Sequence, residues 1–144
     1  MKKTFLILGI IGIIAYIIFA IKRPTITINT HVFNLYIAKA PNDKEVGLSK
    51  YNNLPQNYGM IFPFQTPALY PFWMKDMKFP IDILFIKDNT IVTIYNNIPN
   101  PKTKDENLMI YVPKSPANLV LEIQAGISKK YNFKEGDAVI LKNL

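Results

Sequence analysis

The sequence contains no cysteine and a single histidine, His31. Without cysteine there is no disulfide framework, no thiol nucleophile, no lipid attached through sulfur and no thiolate metal site. One histidine cannot build the zinc sites that draw several imidazoles together. Glycine is scarce, at six residues, and no phosphate-binding glycine loop, nucleophile elbow or metal-binding helix motif occurs. Acidic residues are outnumbered, ten against seventeen basic ones, for a net charge of +7. Lys2, Lys3, Lys22 and Arg23 flank an apolar N-terminus and supply four of those charges, so residues 24–144 carry only +3. That domain is mildly basic and lacks the basic or basic-aromatic stripe of a nucleic-acid binder. No nucleic-acid partner, metal or cofactor is expected.

What is present begins with a long hydrophobic run. Residues 4–21, TFLILGIIGIIAYIIFAI, hold 18 positions without a charge. A helix of that length spans roughly 27 Å, close to the hydrocarbon thickness of a bilayer. It has no polar face to turn from a core. A cleaved secretory signal is the alternative, but its apolar region is typically shorter and ends at small residues, whereas the best site here, Ile18-Phe19-Ala20, begins with a bulky one. The reading is an anchor at 1–23 holding the chain to a membrane through residues 4–21. Lysines before and basic residues after the run nearly cancel, and the free amino group tips the N-terminus inwards. The domain at 24–144 would then lie outside the cytoplasm, at the cell envelope.

After Pro24 the pattern becomes one of short strands and turns. Threonine and isoleucine alternate over 25–29, Asn29-Thr30 is a turn, and 31–38 returns as a strand. Asn42 or Asp43 caps a short helix that Gly47 ends. Residues 51–58 read as a loop, 59–62 as a strand, and 63–71, with Pro63, Pro67 and Pro71, as an ordered loop folded over the sheet. Strands follow at 72–75, 81–87, 90–95, 108–112, 118–124 and 138–142, with a hairpin turn at Asp88-Asn89, a long polar loop at 96–106 and a helical turn at 125–131. The fold class expected is mainly β: a curled or barrel-like antiparallel sheet with one or two short helices, preceded by the transmembrane helix. His31, opening a strand without a partner, reads as a surface residue.

The candidate site centres on residues 71–88, PFWMKDMKFPIDILFIKD, which hold the sole tryptophan, Trp73. With a period of two, Phe72, Met74 and Asp76 point one way and Trp73, Lys75 and Met77 the other. Asp82 shares a face with Leu84 and Ile86, and Glu122 shares one with Val120. A charge on an apolar face is costly unless it is paired or opens into a pocket, and Lys75 is the natural partner. The bland reading is a salt-bridge network of Lys75, Asp82 and Glu122 that fixes strand register. The functional reading is a pocket with Trp73 as aromatic wall and Lys75, Asp76, Asp82 and Glu122 as polar groups, suited to an amine, a sugar or a peptide. Asp82 and Glu122 could also act as the acid and base of a hydrolase.

The stretches Glu45-Val46-Gly47-Leu48, Gly59-Met60-Ile61-Phe62, Phe72-Trp73-Met74-Lys75-Asp76-Met77, Pro80 to Ile86 (PIDILFI), Leu121-Glu122-Ile123-Gln124-Ala125-Gly126 and Glu135-Gly136-Asp137 resemble, in order and approximate spacing, the family named domain of unknown function 192. The resemblance runs from Asn34 to Leu141. It implies a small, mainly β domain, often behind an export signal or anchor, and no settled activity. The family pattern usually has arginine before the Gly-Leu pair and methionine after it, where this chain has Val46 and Ser49. Asparagine is common at Asp76, and the cysteine pair often found in the loop at 96–106 is missing. The overall expectation is an anchored, non-enzymatic module that binds a small molecule, glycan or peptide. An envelope hydrolase, or a structural domain without pocket chemistry, are the alternatives.

Overall fold

In the first strand, β1 (Thr25–Ile28), alternation turns Ile26 and Ile28 into the core and leaves the threonines half covered. The computed structural model describes residues 22–103 and 108–144. The anchor expected at 4–21 lies outside them, as does part of the loop at 96–106. Among the described residues no helix is long and apolar enough to cross a membrane.

Asn29, at a positive φ of 53°, turns the chain back into β2 (His31–Ile37). A short helix α1 (Pro41–Val46) and a 3-10 turn (Gly47–Lys50) follow. Proline opens α1, and the Asp43 carboxylate reaches back to accept the Ala40 N–H. β3 (Tyr58–Ala68), β4 (Ile81–Lys87), β5 (Thr90–Ile98), β6 (Ala117–Gln124), the one-turn α2 (Ile127–Lys130) and β7 (Val139–Lys142) complete the order. One seven-stranded sheet runs β5-β4-β6-β3-β2-β1-β7. It curls into a half-barrel whose two ends meet at a bridge between Thr90 and Ala138. The Asp88-Asn89 turn joins β4 to β5 with both residues at positive φ, 49° and 63°, as a tight hairpin requires.

Four expectations need correction. The sheet is not wholly antiparallel: β2 and β3 pair parallel, from Asn34 opposite Tyr58 to Ile37 opposite Ile61. The connection through α1 is long enough for such a crossover. Residues 63–68 are not loop but the second half of β3. Pro63 is tolerated there because it lies beyond the last β2 pair. Its carbonyl faces Lys44, 2.6 Å away, so its nitrogen faces the same open edge and no ladder bond is lost. The strands read at 72–75 and 108–112 shrink to one bridge, Phe72 with Tyr111. Finally, the period-two reading of 72–77 fails because a turn, closed by Met77 N–H to Met74 C=O at 3.1 Å, buries both methionines.

The core has two layers, one on each face of the sheet. Ile26, Phe33, Ile61, Leu84, Leu121 and Ile123 belong to the layer that α2 and Phe133 close. Leu48, Met60, Phe62, Ile83, Phe85 and Val120 belong to the other, under α1, the 3-10 turn and the 69–80 segment. All of Ile81 to Ile86 is buried, which is why β4 is almost continuously apolar rather than alternating.

Asp82 is the exception in that run, and its surroundings explain it. Its face is that of Ile123, its cross-strand neighbour, in the α2 layer. Oδ1 accepts the N–H groups of Asn97 at 2.7 Å and Gly126 at 2.9 Å, and Oδ2 accepts that of Ser128 at 2.8 Å. The register of β4 and β5 slips between Ile81 and Ile83, and Asn97 takes a positive φ of 53°. This bulge turns an amide off the ladder and towards the carboxylate. Asp82 therefore ties β4 to the β5 bulge and to the first turn of α2. Replacing Asp82 with Asn puts an amide donor against at least one of these N–H groups. We expect a loss of about 2–4 kcal/mol, read as a lower denaturation midpoint.

Candidate functional site

On the other face of the sheet lies a cavity of about 320 Å³. Three parts of the chain wall it. α1 and the 3-10 turn contribute Lys44, Glu45, Val46, Gly47 and Leu48. β3 contributes Phe62 and Phe64. The segment between β3 and β4 contributes Tyr70, Phe72, Trp73, Lys75 and Met77. Glu122 of β6 forms the floor, between Met60 of β3 and Ile83 of β4, both buried.

The walls are held from behind. Tyr70 stacks on Phe64 at 3.6 Å between ring centroids, and the Lys44 ammonium sits 4.2 Å above the same ring. Phe72 meets Phe62 and Phe85 edge-on at 5.1 and 5.7 Å. Its backbone exchanges two hydrogen bonds with Tyr111, at 2.9 and 2.8 Å. That pairing carries Trp73, the next residue, to the rim, where it is 46% exposed. Gly47 closes α1 with a φ of 52° and a ψ of −138°, which only glycine adopts readily. A Cβ there would lie 3.5 Å from the Phe62 ring and 4.0 Å from Glu122 Oε2.

The Glu122 residue is 5% exposed, and its Oε2 has no hydrogen-bond partner among the described residues. Burial raises its carboxyl from an ordinary value of 4.5 to about 8. No lining cation offsets this. Among the described residues the one ion pair joins Lys114 to Glu135, away from the cavity. Lys44 spends a donor on the Pro63 carbonyl, and Lys75 is exposed at the mouth.

Of the five sequence candidates, the cavity gathers Trp73, Lys75 and Glu122. Asp76 does not line it: it stands exposed on the bend at a φ of 57°, in a neighbouring hollow that shares Lys75 and Met77 with the cavity. Asp82 is sealed on the opposite face. The acid and base pair of a hydrolase is therefore not assembled, and the register network through Lys75 is not formed. Lys44, Gly47, Phe64 and Tyr70 were missed. Gly47 had the clearest signal, a glycine ending a helix, but what it would stand against was not written in the local sequence. His31 opens β2 stacked on Tyr131 at 3.7 Å, as a surface aromatic pair.

The profile of the family DUF192, described as "Uncharacterized ACR", matches residues 24–141. A crystal structure from Sinorhizobium meliloti, described as a "putative transcription regulator", is 30% identical with a TM-score of 0.71. The match covers 83% of this chain and 92% of that one. A protein of unknown function from Novosphingobium aromaticivorans is also 30% identical, with a TM-score of 0.70 over 82% of this chain and 83% of that one. No protein of curated function matches the sequence.

Glu122 makes stability depend on pH with a definite sign. The folded chain holds its proton above the pH at which the unfolded chain has lost it. The contribution of Glu122 to stability should be full below about 4.5, fall by about 1.4 kcal/mol per pH unit as pH rises towards about 8, and level off above. Glu122→Gln should flatten that slope and make the variant more stable than the parent at pH 8, measured by denaturant titration across the range.

Proposed function

We propose that this chain, which belongs to the DUF192 family, is a non-enzymatic binding module whose cavity over Glu122 takes a small, partly apolar ligand. The observation that carries this reading is a buried carboxyl oxygen without a partner among the described residues, at the floor of a space walled by aromatic rings. Proteins pair their buried polar atoms, so an unpaired one at the floor of an aromatic-walled pocket gives that pocket a chemical preference. The apolar walls supply contact area and the carboxyl supplies orientation. Of the two carboxyls lining the cavity only Glu122 is buried, and Glu45 is exposed on α1, so the site suits recognition of a molecule better than bond cleavage by paired acids. A small molecule, a sugar or a peptide side chain fits this description. The apolar run at residues 4–21 would tether the module to a membrane and present the cavity on the outer side.

Trp73 is a built-in reporter, since it is the sole tryptophan and stands on the rim. Screening small amines, sugars and short peptides against the purified domain should yield compounds that shift Trp73 emission and raise the melting temperature together. Trp73→Ala should weaken those compounds about tenfold, the worth of one aromatic contact, while leaving the fold intact. If no compound moves either signal and native mass spectrometry finds nothing bound, the domain is a structural one and the binding reading is wrong.

A further inference from the structure

We propose that the ligand carries a primary ammonium group, received by Glu122 while its apolar body packs between Phe62, Phe64 and Trp73. This rests on reading the cavity as a ligand site, and goes further by naming the group that the site selects.

Glu122 stands at the cavity floor. An ionised carboxylate is an acceptor only, and Oε2 has no donor among the described residues. The charged groups lining the cavity are few. From α1 come Lys44 and Glu45; from the segment before β4 comes Lys75; the β3 and β4 sides bring apolar residues. Lys44 is committed to the Pro63 carbonyl at 2.6 Å and to the Phe64 face. Lys75 stays at the mouth in solvent, and the exposed Glu45 adds negative charge rather than positive. The cations among the described residues therefore leave the floor unneutralised, and the raised carboxyl value, caused by burial alone, agrees with that. Aromatic rings around the carboxyl favour a cation further, since their faces are electron-rich. A neutral hydroxyl would satisfy one lone pair and leave the charge unmatched, so Glu122 would stay protonated. An ammonium supplies both donor and counter-charge. Its arrival releases the carboxyl proton to water, so binding is coupled to loss of one proton.

The test follows Trp73 emission while 2-phenylethylamine is titrated into the domain between about pH 6 and about pH 8, with 2-phenylethanol as the uncharged counterpart. Below the carboxyl's value of about 8, amine affinity should rise about tenfold per pH unit. Calorimetry in buffers of different ionisation heat should show release of one proton. The alcohol should bind more weakly and without pH dependence. Glu122→Gln, nearly the same shape, should weaken the amine more than tenfold and abolish its pH dependence, with the alcohol unchanged. If the alcohol binds as tightly as the amine and Glu122→Gln leaves both unaffected, the ammonium assignment is overturned while the cavity remains a ligand site. If neither compound binds but a sugar or acid from the wider screen does, the assignment is likewise overturned. If nothing binds at all, the ligand site itself is withdrawn.

Discussion

The carboxyl of Glu122 sits on a central strand, in the run Val120 to Ile123 that is buried on both faces. β6 runs between β3 and β4, with an apolar layer above and below it. In such a run every polar side chain must be met by something other than water. Asp82, on the neighbouring β4, lies under the same constraint and is met completely. The two acids differ by one step of register: Asp82 stands opposite Ile123, and Ile83 stands opposite Glu122. That single step sends them to opposite faces, where different parts of the chain provide the cover. On one face the cover is backbone, a bulge and a helix start that turn amides inwards. On the other it is side chains, mostly rings, with nothing to donate to Oε2. Two carboxylates of similar sequence context thus become a structural tie and an open site.

The covering layer over Glu122 explains why it leaves a gap. It is assembled from segments whose shapes are set by their own constraints. Pro41 starts α1 and Gly47 stops it. The segment from Pro67 to Pro71 is stiffened by its prolines and pinned at Phe72 by Tyr111. Each is fixed by local geometry and by contacts on its far side, so neither can slide inwards to close on the other. Gly59 marks the opposite situation one layer below. A Cβ there would come within 2.9 Å of Leu121 and 3.0 Å of the Glu122 carbonyl, so β3 and β6 press as close as backbones allow. The sheet beneath is tight while the layer above it is held apart.

Much of this was legible in the sequence, for reasons that differ by residue. Asp88-Asn89 announced its hairpin because both residues tolerate positive φ, and the Thr-Ile alternation announced β1 because period two leaves little choice. Pro63 misled because proline usually ends a strand; the exception depends on which edge its nitrogen faces, a tertiary fact. The parallel pairing of β2 with β3 was not read, because regular turn signals argued an antiparallel sheet, although the helix between the two strands gives the chain the length to cross over. Asp82 and Glu122 were both recognised as charges needing an answer. Their separation was not, because same-face arguments work along one strand and say nothing about register between two. Val46 stands where the family resemblance expects arginine, and it lines the cavity beside Glu122. That substitution was visible as a missing charge, and the fold places it in the lining of the cavity.

The walls of a pocket ordinarily gain dispersion contacts by moving together. This one resists relaxation for a structural reason. Phe64 is sandwiched by Tyr70 and Lys44, and Phe72 is fixed by two rings and two backbone hydrogen bonds. For either to move into the cavity, these contacts must break, at a cost comparable with the gain. Widening Gly47 to fill the space is opposed by its backbone conformation, which a side chain would strain. The walls are thus preorganised before anything enters. Preorganisation is what a binding site needs and a core does not, since an occupant then loses little to the ordering of side chains. The same rigidity keeps the Glu122 carboxyl from turning towards solvent to escape its burial. A floor that its described neighbours hold in place without pairing is what the proposed ligand would complete.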